Sequence, residues 1–287
     1  MIRARSVVAG CALAAAIAGC TTKSAPPPTD ARLEGELARV GDEAVSVQLV
    51  QAIAASRACS ARQALDYAVE DSLAAQAAAK EGLAGEGAPA GWAVDSALGQ
   101  VVTLRLQEQA REKGLPDDDE LSHLKVVHVV VLRSPSVSPA HARFVASSLA
   151  TAVASARTAE EFEARAKATK SDLRTSVEEL PAFDAAGRME TGLLLDPDFV
   201  VAAFALRSPG DTSPVTETSF GWHVIRLVSR EGPGADRAAR SAELAEAVYS
   251  LRARGALTDL LGRRRAGTPV ETAAGADRLM ASVVPVR

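Results

Sequence analysis

Cysteine and aromatic residues are scarce in this chain, and each shortage excludes a class of structure. The 287 residues contain three cysteines, two tryptophans, two tyrosines and six phenylalanines. Two of the cysteines, Cys11 and Cys20, lie in the first twenty residues, which leaves Cys59 as the single cysteine of the remainder. An intramolecular disulfide and a cluster of cysteine metal ligands are therefore excluded there, and stability must come from packing.

The motifs of several common enzyme and binding classes are also missing. The four histidines do not have the spacing of a metal site, so we expect no bound metal. A Gly-x-Ser-x-Gly elbow, which would indicate a hydrolase, is absent, and so is a glycine-rich phosphate loop. The formal net charge of −4 gives no reason to expect a nucleic acid as partner.

Long apolar runs are limited to the start of the chain. Arg3 and Arg5 precede an apolar stretch from Val7 to Ile17, a pattern typical of a signal peptide and too short for a transmembrane helix. The stretch ends in Ile17-Ala18-Gly19-Cys20, which resembles the bacterial lipobox. In a lipobox, cleavage occurs before the cysteine and a diacylglycerol is attached to its thiol. An ordinary secretory signal with an incidental cysteine is the alternative interpretation.

The lipobox resemblance implies a lipoprotein. Its signal peptide would occupy residues 1–19, with lipidation at Cys20 and a proline-rich tether over residues 20–31. Because Thr21 rather than aspartate follows the cysteine, the pattern resembles outer-membrane sorting if the cell has two membranes. We therefore expect an exported protein of the cell envelope, anchored to the membrane through Cys20.

The segments on either side of the middle have helical patterns. Residues 32–122 are rich in alanine and predict a hairpin that turns at Gly41-Asp42, three helices, and a further helix start near 115–121. The three helices are expected near residues 46–57, 60–82 and 92–113. Residues 232–287 predict another helix, with an apolar stripe from Leu244 to Leu261, and then a short strand and a turn.

The middle of the chain combines strands with helices and holds all six phenylalanines. Val126 to Leu132 and Trp222 to Ser229 predict strands, and each contains one histidine among apolar residues. Helix-start signals lie between them at Ser138-Pro139, Thr158 and Asp196-Pro197. With a short strand near residues 178–183 and a closing hairpin, the predicted order is β-α-α-β-α-β-β.

This order and several local motifs resemble parvulin-type peptidyl-prolyl isomerases. The strand around His128 resembles the family's opening strand, and Thr216 to Ile225 resembles its closing Thr-x-x-Gly-x-His-Ile-Ile strand. Gly210 to Val215 resembles the family's Gly-Glu-x-Ser-x-Pro-Val turn. Phe162 and Ala166 match positions of its Phe-x-x-Leu-Ala helix.

The resemblance implies an α+β fold with an inserted domain. A parvulin-like domain with a four-stranded sheet would span residues 123–231, between the helical segments 32–122 and 232–287. These flanking segments resemble the arms of PrsA-type foldases and SurA-type chaperones. They would pack on each other as a chaperone-like domain.

The resemblance also implies an active site. Its catalytic residues would be His128, His223 and Asp172, the last near the family's aspartate or cysteine position. The substrate-binding residues would be Leu180, Phe183, Met189, Phe199, Thr218 and Trp222. We expect the two imidazoles to hydrogen-bond to each other and to fix the floor of an apolar proline pocket. Rotation about an X–Pro bond meets a barrier of ~18–20 kcal/mol from amide resonance. An apolar pocket that binds the proline ring and removes water from the imide carbonyl would favour the twisted state. This mechanism requires neither a metal nor a cofactor.

Two departures from the family pattern border this pocket and leave alternatives open. Residues 177–183 lack every glycine of the family's Gly-Gly-Asp-Leu-Gly-x-Phe loop and contain Pro181, and residues 190–196 are longer than the usual link. One interpretation is an isomerase and foldase that acts on unfolded or proline-containing exported polypeptides. The second is a non-catalytic chaperone or scaffold that holds unfolded chains with the same fold. A purely structural lipoprotein is the third.

Overall fold

The computed structural model describes residues 35–80, 82, 92–134 and 136–281. The predicted signal peptide, the lipidation site at Cys20 and the tether lie outside the described residues. None of the described helices has both the length and the apolar composition that crossing a bilayer requires.

The N-terminal segment forms a hairpin and three helices. Strands β1 (Glu36–Val40) and β2 (Glu43–Ser46) pair antiparallel and turn at residues 41–42, as predicted. Helices α1 (Val47–Arg57), α2 (Ala61–Lys80) and α3 (Trp92–Glu112) follow close to the predicted bounds. The alanine-rich helix α2 supplies much of the N-terminal core, because its small side chains allow close approach to the hairpin and to α1.

The middle segment forms the predicted β-α-α-β-α-β-β unit. Its elements are β3 (His123–Leu132), α4 (Pro139–Val153), α5 (Ala159–Ala168), β4 (Thr175–Phe183), α6 (Pro197–Phe204), β5 (Thr216–Glu217) and β6 (Gly221–Glu231). The strands form one antiparallel sheet in the order β4-β3-β6-β5, in which β3 and β6 pair along their full length. The predicted parvulin-like α+β fold is thereby confirmed.

The helices of the middle segment begin where the sequence predicts. In each case a side-chain oxygen just before the helix accepts a hydrogen bond from a backbone N–H of the first turn. Ser138 accepts from His141 at the start of α4, Thr158 from Glu161 at α5, and Asp196 from Asp198 at α6. Pro139 and Pro197 occupy the first helical position, where no backbone donor is needed.

Side-chain alternation along β3 and β6 gives the sheet two different faces. On one face, Val127, Val129 and Trp222 pack against α4 and α5 in a core around Phe162. On the other face, alternate strand residues such as Val126 and Ile225 pack against α6, with Phe183, Phe199 and Phe204. We call the second of these the α6 face. His128 and His223 lie on it, because each is an even number of residues from Val126 or Ile225.

A single turn of 3₁₀ helix (Gly234–Asp236) leads into α7 (Arg237–Gly267), which joins the middle segment to the N-terminal segment. Near its start, α7 buries Leu244 and Val248 in the core of the α6 face. Farther along, Arg252 donates two hydrogen bonds to the carboxylate of Glu120, at 2.7 and 2.6 Å. Its guanidinium also donates to the carbonyl oxygens of Ala110 and Gly114. The helix therefore fastens the end of α3 and the turn before β3 to the sheet.

The end of the described chain returns to the N-terminal sheet. Strand β7 (Val270–Thr272) pairs antiparallel with β1, which gives the strand order β2-β1-β7. Helix α8 (Ala276–Ala281) follows and adds Met280 to the N-terminal core. Residues from both ends of the described chain thus complete one core.

Two local predictions are wrong. Residues 115–121 start no helix; Asp117 and Glu120 instead accept hydrogen bonds from each other's backbone N–H in a turn, because β3 begins only two residues later. The turn predicted at Leu279-Met280 is part of helix α8. In both places the neighbouring element determines the local conformation.

Candidate active site

Two neighbouring strands bring the histidines together. In the pairing of β3 with β6, His128 lies opposite Ile225 and Val130 lies opposite His223, so the two histidines are diagonal neighbours on the α6 face. Their Nδ1 atoms are 3.2 Å apart and their ring centroids 5.2 Å apart. Only 6% and 5% of these residues is exposed. The expected imidazole pair is thus present as a buried contact.

Two neutral rings can satisfy this contact, whereas two charged rings cannot. Burial lowers the pKa of His128 to about 4, against a smaller opposing effect of the Glu178 carboxylate. Burial, and then the neighbouring His128, lower the pKa of His223 to about 3, with Asp196 acting in the opposite direction. One Nδ1 must carry a proton and donate while the other accepts. Two charged rings would bring two N–H donors face to face.

A turn between β5 and β6 holds the outer side of the His223 ring. Thr218 Oγ1 lies 2.8 Å from His223 Nε2, and the same oxygen accepts a hydrogen bond from Phe220 N. The turn closes at Gly221, whose φ of +152° suits glycine. A Cβ at this position would overlap the carbonyl oxygen of Val131 on β3. Glycine is therefore required for β6 to begin where it does.

Phe199 of α6 covers the imidazole pair. Its ring stands edge-on to both histidines, with centroid distances of 5.2 Å to His128 and 5.3 Å to His223 and interplanar angles of 80°. Phe183 lies 6.2 Å from Phe199 and also contacts Phe204. Aromatic rings in edge-to-face contact attract one another through their quadrupoles, in addition to the apolar area they bury. The floor of the site is therefore a packed cluster of aromatic rings.

Asp196 connects the two walls of the site. Its Oδ1 accepts the hydrogen bond that begins α6, while its Oδ2 accepts from both the backbone N and the side-chain Oγ of Ser219. Ser219 directly follows Thr218, so this carboxylate fixes the turn that carries Thr218 to the helix that carries Phe199. These hydrogen bonds keep the pKa of Asp196 lowered even though burial acts to raise it. The residue positions both groups that contact the imidazoles.

Most of the expected substrate-binding residues reach this face of the sheet. Leu180 and Met189 are partly buried and pack against the core that contains Phe183 and Phe199. Met189 also pairs with Phe183 in an isolated bridge. The inserted residues Leu193 and Leu194 point into solvent and do not fill the site.

Two expected site residues lie elsewhere. The carboxylate of Asp172 is 2.9 Å from Nε2 of His141 on α4, whose buried side chains pack on the opposite face of the sheet. Trp222 is 2% exposed and is buried in that same opposite core, because it alternates with His223 along β6. The structure therefore brings neither residue to the imidazole pair.

The loop that lacks the family's glycines is an edge strand. Strand β4 pairs with β3 from Thr175 to Phe183, and Pro181 falls at an irregularity in that pairing. A proline is tolerated at such a position because its missing N–H faces away from the ladder. The residues replacing the glycine loop are therefore ordered, and they place Glu178 directly opposite His128.

The sequence does not single out Glu178, Leu195 or Ser219, although each lies at this site. The register of β3 against β4 would have identified Glu178, but no sequence motif fixes that register. Leu195 packs against the core of the α6 face just before the helix begins. Ser219 is recognisable only through its hydrogen bonds to Asp196.

Two surface concavities lie away from the imidazoles. One, of about 310 Å³, lies between α3 and α7. The other, of about 350 Å³, lies between the loop that follows β4 and α7, and it is lined by Met189 and His123 but by neither His128 nor His223. The paired histidines, rather than concave volume, define the candidate site.

A four-stranded antiparallel sheet with paired histidines on its two central strands is the arrangement of a parvulin-type domain. Residues 128–260 match the family model of the PPIC-type PPIase domain. This segment is therefore a domain of the PPIC-type peptidyl-prolyl isomerase family, and the resemblance seen in the sequence is confirmed.

Individual relatives are similar over part of the chain. The foldase protein PrsA of Latilactobacillus sakei subsp. sakei (strain 23K) is 39% identical over 75 residues, which are 25% of this chain and 23% of that protein. The match thus spans about a quarter of the length of this curated relative.

Two solved structures are similar at low identity. One is a SurA-like chaperone of Campylobacter jejuni, with 9% identity, a TM-score of 0.30, and coverage of 84% of this chain and 100% of that chain. The other is the foldase protein PrsA of Lactococcus lactis, with 14% identity, a TM-score of 0.26, and coverage of 87% and 99%. The family assignment rests on the sequence matches and not on these weak whole-chain likenesses.

Proposed function

We propose that this protein is a peptidyl-prolyl cis-trans isomerase that assists the folding of other polypeptides. The observation that carries the proposal is the 3.2 Å contact between the Nδ1 atoms of His128 and His223, covered by Phe199, within a PPIC-type domain. His128 and His223 are the residues we assign to the catalytic floor. Leu180, Met189 and Phe199 are assigned to the proline pocket.

The chemistry that this site supplies is modest. Amide resonance keeps the X–Pro bond planar, and resonance weakens when the imide nitrogen and carbonyl leave water for an apolar surrounding. Neutral imidazoles suit such a surrounding because they bring no charge that would retain water. Thr218 and Asp196 keep the rings and Phe199 in place, so that the pocket need not reorganise while the bond rotates. No nucleophile takes part in this scheme.

The isomerase proposal is tested with a proline tetrapeptide and the full chain. We expect the cis-to-trans rate, followed by NMR exchange or by a coupled protease, to rise in proportion to protein concentration. Phe199→Ala should reduce this catalysis at least tenfold, since the variant opens the covered floor to water. Phe144→Ala is the matched control, because Phe144 is 69% exposed on α4. A folded wild-type protein that leaves the rate unchanged would refute the enzymatic proposal.

A non-catalytic chaperone is the second candidate. The observation that favours it is the near-complete burial of both imidazoles and of Phe199, together with Pro181 in place of the family's glycine loop. Such a protein would suppress aggregation of an unfolded client without accelerating isomerisation. Aggregation suppression that is retained in His223→Ala and Phe199→Ala, alongside an unchanged isomerisation rate, would establish this function instead.

We further propose that the protein acts on exported polypeptides from a lipid anchor at Cys20. This rests on the lipobox-like sequence Ile17-Ala18-Gly19-Cys20 and the basic and apolar residues before it. Two or three acyl chains would hold the protein stably, whereas one chain binds a membrane only marginally. Labelling of expressing cells with a radioactive fatty acid should mark the wild type and not Cys20→Ser. Equal labelling of both would contradict the anchor.

A further inference from the structure

Glu178 lies beside the imidazole pair at the edge of the sheet. It is directly opposite His128 in the pairing of β3 with β4. Directly opposed residues of an antiparallel pair share a face, with Cβ atoms about 4.5–5.5 Å apart. Leu180, two residues along the same face, packs into the apolar core beneath Phe199. The exposed side chain of Glu178 therefore lies on the same face of the sheet as His128 and Leu180, which we assign to the site.

Among the described residues, this carboxylate accepts a hydrogen bond from a hydroxyl and pairs with no cation. Glu178 is exposed, and its Oε1 accepts a hydrogen bond of 2.7 Å from Ser176 Oγ, which is a neutral group. Within the described part of the chain, no arginine or lysine forms an ion pair with it. By contrast, Asp196, the other acid that acts on the imidazoles, has its oxygens taken up by Ser219 and by the first turn of α6.

We propose that Glu178 makes the site select substrates with a cationic residue immediately before the proline. The inference rests on the proposed isomerase function. When the proline ring occupies the apolar pocket and the imide lies over the imidazoles, the residue that supplies the imide carbonyl is the one before the proline. Its side chain is then the part of the substrate nearest to Glu178, and a lysine or arginine there gains an ion pair.

The size of the expected preference follows from the solvent exposure of the ion pair between Glu178 and the substrate. Exposed ion pairs contribute up to about 1 kcal/mol, which corresponds to a roughly two- to fivefold change in kcat/KM. Because salt screens such pairs over about 10 Å at 0.1 M, the preference should shrink as ionic strength rises.

Three tetrapeptides that differ only in the residue before proline test the inference. With the full wild-type chain, kcat/KM should fall in the order lysine, glutamine, glutamate. Glu178→Gln should abolish the order, and Glu178→Lys should reverse it. Glu179→Gln is the matched control, since it removes the same charge from the adjacent residue, whose carboxylate pairs with Lys125 and whose side chain alternates to the other face. It should keep the wild-type order.

Each outcome decides the matter. An unchanged lysine preference in Glu178→Gln, or an equal loss in Glu179→Gln, would overturn the assignment, the latter by showing a general effect of net charge. If the wild type accelerates none of the peptides, the isomerase proposal fails. Binding of the same peptides, followed by NMR shifts of the sheet β4-β3-β6-β5, then becomes the readout. Tighter binding of the lysine peptide that disappears in Glu178→Gln would then uphold the role of Glu178, and equal binding would overturn it.

Discussion

The contact between His128 and His223 couples the protonation of the site to the stability of the fold. In the unfolded chain a histidine has a pKa near 6.5. In the folded protein, burial and the adjacent ring lower the pKa values to about 4 and about 3. The unfolded state therefore binds more protons than the folded state between these values. The contribution of the pair to stability is fully present above pH ~6.5 and is lost as the pH falls toward 4.

We predict a specific difference between the wild type and a His128→Gln, His223→Gln double variant. The wild type should lose more free energy of unfolding than the variant when the pH falls from 7.5 to 5, because the variant has no buried imidazoles to protonate. The difference between the two proteins is the relevant quantity, since partial burial raises the pKa of Asp95 to about 6 and gives a contribution of opposite sign. Urea unfolding at both pH values measures it.

The control for this prediction is His141→Gln. His141 is exposed on α4, where its Nε2 contacts Asp172, so the substitution removes an imidazole at the surface without touching the buried pair. It should keep the wild-type dependence on pH. An identical dependence in the wild type and the double variant would show that the imidazoles carry no linked proton.

The turn between β5 and β6 sets the point at which β6 begins its pairing with β3. Gly221 begins β6, and only a residue without a side chain avoids the Val131 carbonyl while holding a φ of +152°. The turn places Thr218 against His223 from one side. Any shift of β6 would carry His223 away from both Thr218 and His128.

We predict that Gly221→Ala is destabilising. The strained φ alone costs about 1–3 kcal/mol, and the clash with the backbone of β3 adds to it. Gly262→Ala is the matched control, because Gly262 is exposed inside α7 and a Cβ there meets no atom within 4 Å. Gly262→Ala should raise the free energy of unfolding above that of the wild type by about 0.5–1 kcal/mol. Thermal unfolding that ranks the two variants in the other order would contradict this account of the turn.

The elements could be predicted from the sequence much better than the site. Capping residues and alternating apolar residues mark α4, α5 and α6 and the strands with the histidines, because these signals are local. Local signals do not fix the position of Asp172, since that position depends on the length of the loop before β4. Trp222 faces away from the imidazoles because it is the strand neighbour of His223. The sequence does not identify Glu178, because strand register is a tertiary property that no local motif records.

Helix α7 makes the PPIC-type domain depend on residues beyond the last strand of its sheet. Leu244 and Val248 complete the core that supports Phe199, and both belong to α7 rather than to the sheet. Arg254 of the same helix pairs with Asp198 on α6 through contacts of 2.7 and 3.2 Å. The expected domain limit at residue 231 therefore omits part of the core, in agreement with a family match that extends to residue 260.

We predict that Leu244→Ala destabilises the PPIC-type domain. Truncating a buried leucine to alanine typically lowers the free energy of unfolding by about 2–5 kcal/mol. Leu244 packs in the core that also contains the buried side chains of α6. Leu115→Ala is the control, because Leu115 is 71% exposed and should change the free energy of unfolding by less than about 0.5 kcal/mol. Denaturant unfolding followed by tryptophan fluorescence distinguishes them. Equal stabilities would mean that the sheet and α6 form a self-sufficient unit.

The pairing of β7 with β1 has a consequence for how the chain matures. During synthesis, the first hairpin emerges long before its third strand, and the edge of β1 that β7 will cover stays open until then. The PPIC-type domain, by contrast, is contiguous in sequence and can fold as soon as the first half of α7 has been synthesised. The PPIC-type domain is thus able to fold first, and the N-terminal sheet is completed last, when β7 pairs with β1.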